Sequence, residues 1–420
     1  MKRTLLFLIL TTGLAQFLSA QLNLDALQEK ARQNYPQIKQ FDLIAKSTAY
    51  NLSNASSAYL PQVSLSGRAT LQSDALNLTL NLPGGAMSIK QDKDQYQAVA
   101  EVNQVLWDGG VIKARKQSIT NNAELEKQKL EVDLYTLRDR VNQLFFGILM
   151  LQEQQIQAEI LRQELQTNLE KIKACLKNGV ANQSDVDALS VELLNVGQRQ
   201  IELKSAETSY RDMLSALTGV KIDVNALLVK PLNAIPDENL SLKRPELGLF
   251  DAQLHLLDNQ IQLEQTAIMP KFGLFLQGGY GRPGLNMLAT GFSPFYIGGI
   301  RFSWNISSFY TRKNNLDNIQ LNKDMVHVAQ ETFLFNNNLK INQQNTEIEK
   351  MRSLLRTDDD ILQLRTNIKN ACSAKVDNGV STVTDLLREI NAESIARQQK
   401  ALHELQLSLQ IQNLKYSTNN

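Results

Sequence analysis

Between Val111 and about Lys177, apolar residues recur four and three positions apart at Leu130, Leu134, Leu137, Val141, Leu144, Ile148 and Leu151. This spacing is the seam of a coiled coil. No proline interrupts the stretch and Gly147 is its only glycine, so the pattern predicts one continuous helix of roughly 100 Å at ~1.5 Å per residue. Few globular folds have room for such a rod. A second rod is predicted from Phe309 to about Val376, where Ile341, Ile348, Leu355 and Leu362 repeat every seven residues with Met351 between them. Two rods of equal length point to an internal duplication.

At the N-terminus, Lys2 and Arg3 precede the apolar run Leu5 to Leu10, and Ser19 and Ala20 close the segment before Gln21. Residues 1–20 therefore read as a secretory signal peptide. No later segment is an apolar 18-mer, so a mature chain that enters a membrane must do so as β-structure. Basic and acidic residues nearly balance at 44 to 43, so no electrostatic attraction for nucleic acid is expected. Aromatic residues make up 6% of the chain while apolar residues reach 43%. The predicted packing is helix on helix along seams, without one thick aromatic core.

Residues 23–57 read as a helix in which Pro36 sets a kink. Leu60-Pro61 ends it, and Val63, Leu65, Gly67, Ala69 and Leu71 then alternate with Ser64, Ser66, Arg68, Thr70 and Gln72. Period two marks a strand with one apolar and one polar face. The alternation continues through Leu76 to Leu82 and stops at the turn Pro83-Gly84-Gly85, so the strand or its loop extends further. A return strand is expected from Tyr96 to Val105, and Trp107 with Gly109-Gly110 leads into the first rod. The rod stops at Asn178-Gly179-Val180, where Gly179 supplies a left-handed residue. Ser184 and Asp185 are then placed to cap a helix that runs back to about Leu217. After an irregular stretch, Arg244-Pro245-Glu246-Leu247 opens a further helix, with Pro245 suited to its first turn. The two shorter helices together match one rod in length.

The order then repeats. Met269-Pro270 precedes a strand carrying Phe272, Leu274, Leu276 and Tyr280, and a return strand carries Tyr296, Ile300, Phe302, Trp304 and Ile306. The second rod stops at Asn378-Gly379-Val380, and a last helix covers 382–416. Asn178 and Asn378, and Asp185 and Asp385, lie 200 positions apart. The predicted organisation is a first repeat over 21–220 (hairpin 61–107, helical turn 178–184), an irregular connector over 221–243, and a second repeat over 244–420 (hairpin 270–306, helical turn 377–384). The fold class is α+β and mainly α.

Four strands with one lipid-like face cannot close a barrel, because the smallest closed barrels have about eight strands. Three copies would supply twelve, giving a homotrimeric transmembrane β-barrel continued by a helical coiled-coil barrel. The polar strand face, with Arg68, Glu101 and Arg301, would line water. Tyr96, Trp107, Tyr280, Tyr296 and Trp304, near strand ends, suit interfacial girdles against the membrane lipid.

Taken together, Leu60-Pro61, Met269-Pro270, Leu106-Trp107-Asp108-Gly109-Gly110, Arg244-Pro245-Glu246-Leu247 and the two Asn-Gly-Val turns before Asp185-Val186 and Asp385-Leu386 resemble the TolC-like outer-membrane efflux protein family. The resemblance covers essentially the whole mature sequence. It implies a trimeric exit duct, set in the outer membrane and reaching into the periplasm. Such a duct serves a tripartite efflux pump or a type I secretion system, with a periplasmic adaptor and an inner-membrane transporter as partners. It also implies that the two helical turns form a periplasmic tip, so that Asn178, Gly179, Val180, Asn378, Gly379 and Val380 become candidates for adaptor contact. Asp185 and Asp385 become candidates for a gating ring. One turn beyond Asp385, at a position that is acidic in part of the family, this chain has Arg388, which works against a strong cation preference. Capping alone accounts equally well for both aspartates.

Other chemistry finds no support in the spacing. His255, His327 and His403 are scattered, and Gly279 to Gly284 matches a dinucleotide glycine pattern with no helix to follow it. Asp358-Asp359-Asp360 lies mid-rod and reads as a solvated face. Cys175 and Cys372 precede the two turns at similar heights and are left open as to pairing. No cofactor and no catalysis are expected. The rival reading is a secreted coiled-coil scaffold or surface stalk whose hairpins are soluble caps.

Overall fold

The computed structural model describes residues 22–224, 226–231 and 242–419. The expected signal peptide, and residues 225 and 232–241 of the expected connector at 221–243, lie outside them. Seven α-helices and six strands follow in order: α1 Leu24–Asn34, α2 Gln40–Ser57, β1 Gln62–Leu71, β2 Asn77–Leu82, β3 Gly85–Lys90, β4 Asp94–Trp107, α3 Val111–Lys177, α4 Gln183–Thr218, α5 Pro245–Ala267, β5 Lys271–Arg282, β6 Ser293–Ser303, α6 Ser308–Asp377 and α7 Val383–Thr418. Both rods form as the heptads require. The N-terminal helix breaks at Tyr35, and a 3-10 turn over Pro36–Lys39 joins its two pieces, because proline cannot donate to the preceding turn. No described helix is long and apolar enough to cross a membrane.

The chain divides into two compact units. One contains α1, most of α3, α4, the later part of α6, and α7. Its core joins Leu24, Leu27 and Ala31 of α1 to Val141, Phe145, Phe146 and Ile148 of α3, and to Leu214, Ile222 and Leu228. The rod's single glycine has a packing reason here: a Cβ at Gly147 would collide with the Tyr210 ring of α4. Gly147→Val is therefore expected to force the helices apart at a cost of about 1–3 kcal/mol, measured as a lowered unfolding midpoint.

Two polar devices fasten this unit. Arg211, fully buried on α4, pairs with Glu207 at 2.8 Å and donates to the Asp223 carbonyl at 2.7 Å. Gln155 of α3 completes the Glu207 carboxylate at 2.8 Å. The opening of α5 is fixed by Arg244, whose guanidinium lies 4.7 Å from the Tyr135 ring centre and 4.9 Å from that of Tyr416, with Glu246 as its ion-pair partner. Stacking of a flat cation between aromatic faces gives this Arg-Pro-Glu-Leu motif a physical role.

The second unit contains the sheet, α2, α5 from Gly248 onward and the first parts of α3 and α6. The sheet is antiparallel in the order β1-β4-β5-β6. Asp108 connects it to α3: its carboxylate accepts from the N–H groups of Gly110 at 2.9 Å and Ile112 at 2.6 Å, while Gly109 turns the chain at φ +71°. Asn259 of α5, fully buried, donates to the Ala114 carbonyl at 3.1 Å. In the first hairpin the expected extension beyond Leu71 belongs to the loop between β1 and β4. The leucine alternation from 76 to 82 does not prolong β1; it forms a separate two-stranded hairpin, β2 with β3.

Candidate functional site

The two helical turns are built alike. In the first, Val180 N–H donates to Cys175 O at 2.9 Å and Gly179 N–H to Leu176 O at 3.0 Å; in the second, Val380 donates to Lys375 O at 2.8 Å and Gly379 to Val376 O at 2.9 Å. These paired bonds satisfy the last carbonyls of each rod and require a left-handed residue, which Gly179 and Gly379 supply at φ +73° and +71°. Asn178 and Asn378 are the last residues before each glycine. Val180 and Val380, 74% and 76% exposed, project apolar side chains from both turns. Below the turns the two hairpins share one core of Leu165, Leu169, Ile172, Val186, Leu189, Val383, Leu386 and Ile390.

Both aspartates sit at the third helical position. The α4 cap is Asn182, one position before the helix and two before Ser184; its backbone N–H donates to Asp185 Oδ2 at 3.1 Å. Asp385 is held more firmly. Its Oδ2 accepts from the Thr382 hydroxyl at 2.7 Å, the Thr382 N–H at 3.2 Å and the Ser381 hydroxyl at 3.2 Å. Arg388 stands 3.6 Å from Oδ1 and is 70% exposed. The Thr382 hydrogen bonds, with help from Ser381 and Arg388, hold the Asp385 carboxyl below the usual aspartate value. A depressed folded pKa means that this cap is complete above about pH 4 and is lost as the pH falls through the folded value. Asp385 is thus engaged in its own helix start, and Arg388 is the more exposed charge beside it.

Farther along the same helices is a buried charged node that sequence reading missed, because its members lie on different helices. Glu393 of α7 is fully buried and accepts from Lys369 at 3.0 Å and Thr366 at 3.0 Å, both on α6, and from Arg397. Lys369 also reaches Glu164 of α3 at 2.7 Å. Burial alone would raise the Glu393 pKa, but the Lys369, Arg397 and Thr366 contacts outweigh it and hold it down. Burial would lower that of Lys369, and its two glutamates keep it raised. With one value depressed and the other raised, the node's stability is present above about pH 4.3, fades as pH falls through the folded glutamate value, and is lost again only above about pH 10.4. Glu393→Gln is expected to flatten the acid limb of an unfolding midpoint against pH profile. An unchanged limb would assign acid sensitivity elsewhere.

The sheet register separates two faces. Val63, Leu65, Tyr96, Ala98, Ala100, Val102, Leu274, Leu276, Tyr280, Tyr296, Ile300 and Phe302 fall on one; Ser64, Ser66, Arg68, Gln97, Glu101, Asn103, Gln277 and Arg301 fall on the other. On the polar face Arg301 meets Glu101 at 3.2 Å and Asn103 at 3.1 Å and lies over the Phe275 ring at 4.9 Å. Arg68 is apart from them, bonded to Gln97 at 3.3 Å. Aromatic residues gather at both strand ends. Trp107, Phe272 and Phe302 pack at the helix end, with ring centres 6.1 and 5.2 Å apart, and Trp304, just past β6, donates to Ile268 O at 2.9 Å. Tyr96 and Tyr280 stack on Phe292 at the other end, at 6.2 and 5.7 Å, with Tyr296 nearby in the register. Phe272, Phe302 and Phe292 join these two aromatic clusters beside the tyrosines and tryptophans named from sequence. About 11 residues of β4 separate Tyr96 from Trp107. At ~3.4 Å per residue, reduced by a ~40° tilt, that gives about 28 Å, near the ~25 Å apolar band of outer-membrane barrels.

Other groups are structural. His403 pairs with buried Asp358 at 2.7 Å and Lys400 with Asp359, so only part of the Asp358–Asp360 run is solvated. Cys175 and Cys372 are free thiols. Among the described residues no cluster could hold a metal ion, and the glycines at 279 and 281 belong to β5.

Comparison with known proteins places this architecture. A family model described as "Outer membrane efflux protein" matches residues 27–220. The fold is similar to that of the CmeC outer membrane channel of Campylobacter jejuni, with TM-score 0.65, 16% identity, and 94% of this chain and 85% of that one covered. It is likewise similar to VceC of Vibrio cholerae, with TM-score 0.69, 12% identity, and 94% and 96% covered. The open state of the MtrE channel of Neisseria gonorrhoeae matches with TM-score 0.66, 14% identity, and 94% and 89% covered. No curated protein sequence matches. Residues 27–220, just under half of the chain, thus match the outer membrane efflux protein family, and the fold over 94% of the chain is similar to that of solved outer membrane channels.

Proposed function

We propose that three copies of this chain form the exit channel of a tripartite efflux pump or type I secretion system, docked through the helical turns to a periplasmic adaptor and energised by an inner-membrane transporter. The observation that carries the trimer is the pair of open sheet edges. β1 and β6, ten and eleven residues long, have no partner on their outer sides among the described strands. Long unpaired edges are templates for pairing, and β6 of one copy against β1 of the next closes a twelve-stranded barrel without any edge. Its water-lined face would carry Arg68, Glu101 and Arg301. The exposed Val180 and Val380 on rigid Gly-closed turns supply paired apolar contacts for an adaptor, and Arg388 sets the charge of that tip.

Gly379→Val tests the docking. Forcing a β-branched residue to φ +71° distorts the turn at roughly 1–3 kcal/mol, too little to dissolve a helical hairpin of this length. Efflux of a fluorescent pump substrate from cells that depend on this channel should fall at least tenfold, with trimer yield unchanged. Normal efflux by the variant would remove the turn from the docking surface.

A further inference from the structure

The segment between β5 and β6, residues 283–292, is fastened to one face of the sheet. Phe292 stacks on Tyr96 and Tyr280, and the register places both tyrosines on the apolar face. Arg282, on that same face, lies 5.4 Å from the Phe292 ring centre and 5.7 Å from that of Tyr96. Its charge is matched by Asp94 at 2.6 Å and Asp92 at 3.1 Å. Inside the loop, Asn286 accepts from Leu288 N–H at 3.0 Å through its side chain and from Ala289 N–H at 3.1 Å through its carbonyl. The buried Gln91 side chain donates to the Met287 carbonyl. The loop is therefore braced outward, over the apolar face and away from the polar one. Yet Leu285, Met287, Leu288 and Phe292 are all exposed, Met287 by 68%. So many apolar side chains on one short ordered loop call for a partner.

We infer that this loop is an interfacial anchor that lies in the headgroup and acyl boundary of the outer leaflet, with outer-membrane lipid as its occupant. The inference rests on the barrel reading above, because continuity with the apolar strand face identifies the occupant. The loop stands at the sheet end opposite the helix connections, hence on the outer side, and its apolar side chains extend the Tyr96, Tyr280 and Tyr296 girdle. Tyrosine and phenylalanine at that level have amphipathic or apolar rings suited to the boundary. Arg282, already neutralised by Asp92 and Asp94, is committed to bracing the loop, so attraction comes from apolar burial and not from phosphate charge.

The test uses the full-length protein with Cys175→Ser and Cys372→Ser, labelled with an environment-sensitive fluorophore at Leu288→Cys or, in a control, at Leu65→Cys in mid-strand. The proteins are reconstituted in phosphatidylethanolamine and phosphatidylglycerol vesicles carrying doxyl quenchers either near the headgroup or near the chain centre. The Leu288 label should be quenched about twofold or more by the shallow doxyl and little by aqueous iodide, whereas the Leu65 label should respond most to the deep doxyl. Quenching of the Leu288 label by iodide alone would put the loop in water and overturn the inference. Silence to both quenchers would mean that a second copy or another protein covers it, which overturns it equally. If the Leu65 label also ignored the deep doxyl, the barrel reading itself would fail, an outcome distinct from failure of the loop alone.

Discussion

Arg211→Ala should destabilise the helical unit by about 3–5 kcal/mol, the range for breaking a buried ion pair by removal of one partner. The side chain is almost fully buried, and three things depend on it: the Glu207 charge at 2.8 Å, the Asp223 carbonyl at 2.7 Å, and through Glu207 the Gln155 contact to the rod. Alanine would leave Glu207 buried with an amide donor alone. It would also free the backbone after Gly219, which this arginine ties back to α4. Chemical unfolding of the detergent-solubilised protein, followed by helical circular dichroism, measures the loss. A change below 1 kcal/mol would show that water or a rearranged side chain replaces the guanidinium. Because the site is far along the chain from the turns and the strands, the variant should show no altered channel property at temperatures where it stays folded.

Leu65→Arg should cost about 2–4 kcal/mol in the membrane, the penalty for a cation facing lipid near the midplane of a barrel, whereas Ser66→Arg should be nearly neutral. The two residues are neighbours in β1 and both are exposed in the single chain, Leu65 by 82%. Only the face differs: Leu65 is opposite Ala100, and Ser66 is opposite Val99 in the row that holds Arg68 and Glu101. Folding into lipid vesicles at a series of denaturant concentrations gives both values in one experiment. Equal effects would mean that the sheet has no lipid side. A larger cost at Ser66 would invert the assigned faces.

The parts legible from sequence are those written in period and punctuation. The heptads of both rods and the two Asn-Gly-Val turns place α3 and α6 to within a residue or so, because a seam with few breakers has no alternative conformation of comparable burial. Strand faces followed from alternation for the same reason, and register then set Tyr96 beside Arg282 and Glu101 within reach of Arg301. Legibility ended where a pattern continued across a change of partner. Leucines alternate through 76–82 much as they do in β1, yet the break at Gln72 to Ala75 hands them to β3. It ended again at the helix starts. Asn182 takes the cap position expected for Ser184, since a carboxylate at the third position can reach back only to the residue before the helix. The buried node of Glu164, Lys369 and Glu393 has no signature at all in a linear chain, because each charge alone reads as a solvated face. Phe292 was equally silent: an aromatic residue in a loop carries no period, and its role appears only when Tyr96 and Tyr280 are found beneath it.

The central claim is that one chain supplies a third of an outer-membrane channel. Native mass measurement on protein extracted from the isolated outer membrane in mild detergent tests it most directly. Three chains per particle, dependent on detergent for solubility, is the predicted result. A monomer or dimer released without detergent would contradict it, because the open edges of β1 and β6 would then have found no second and third copy to close them.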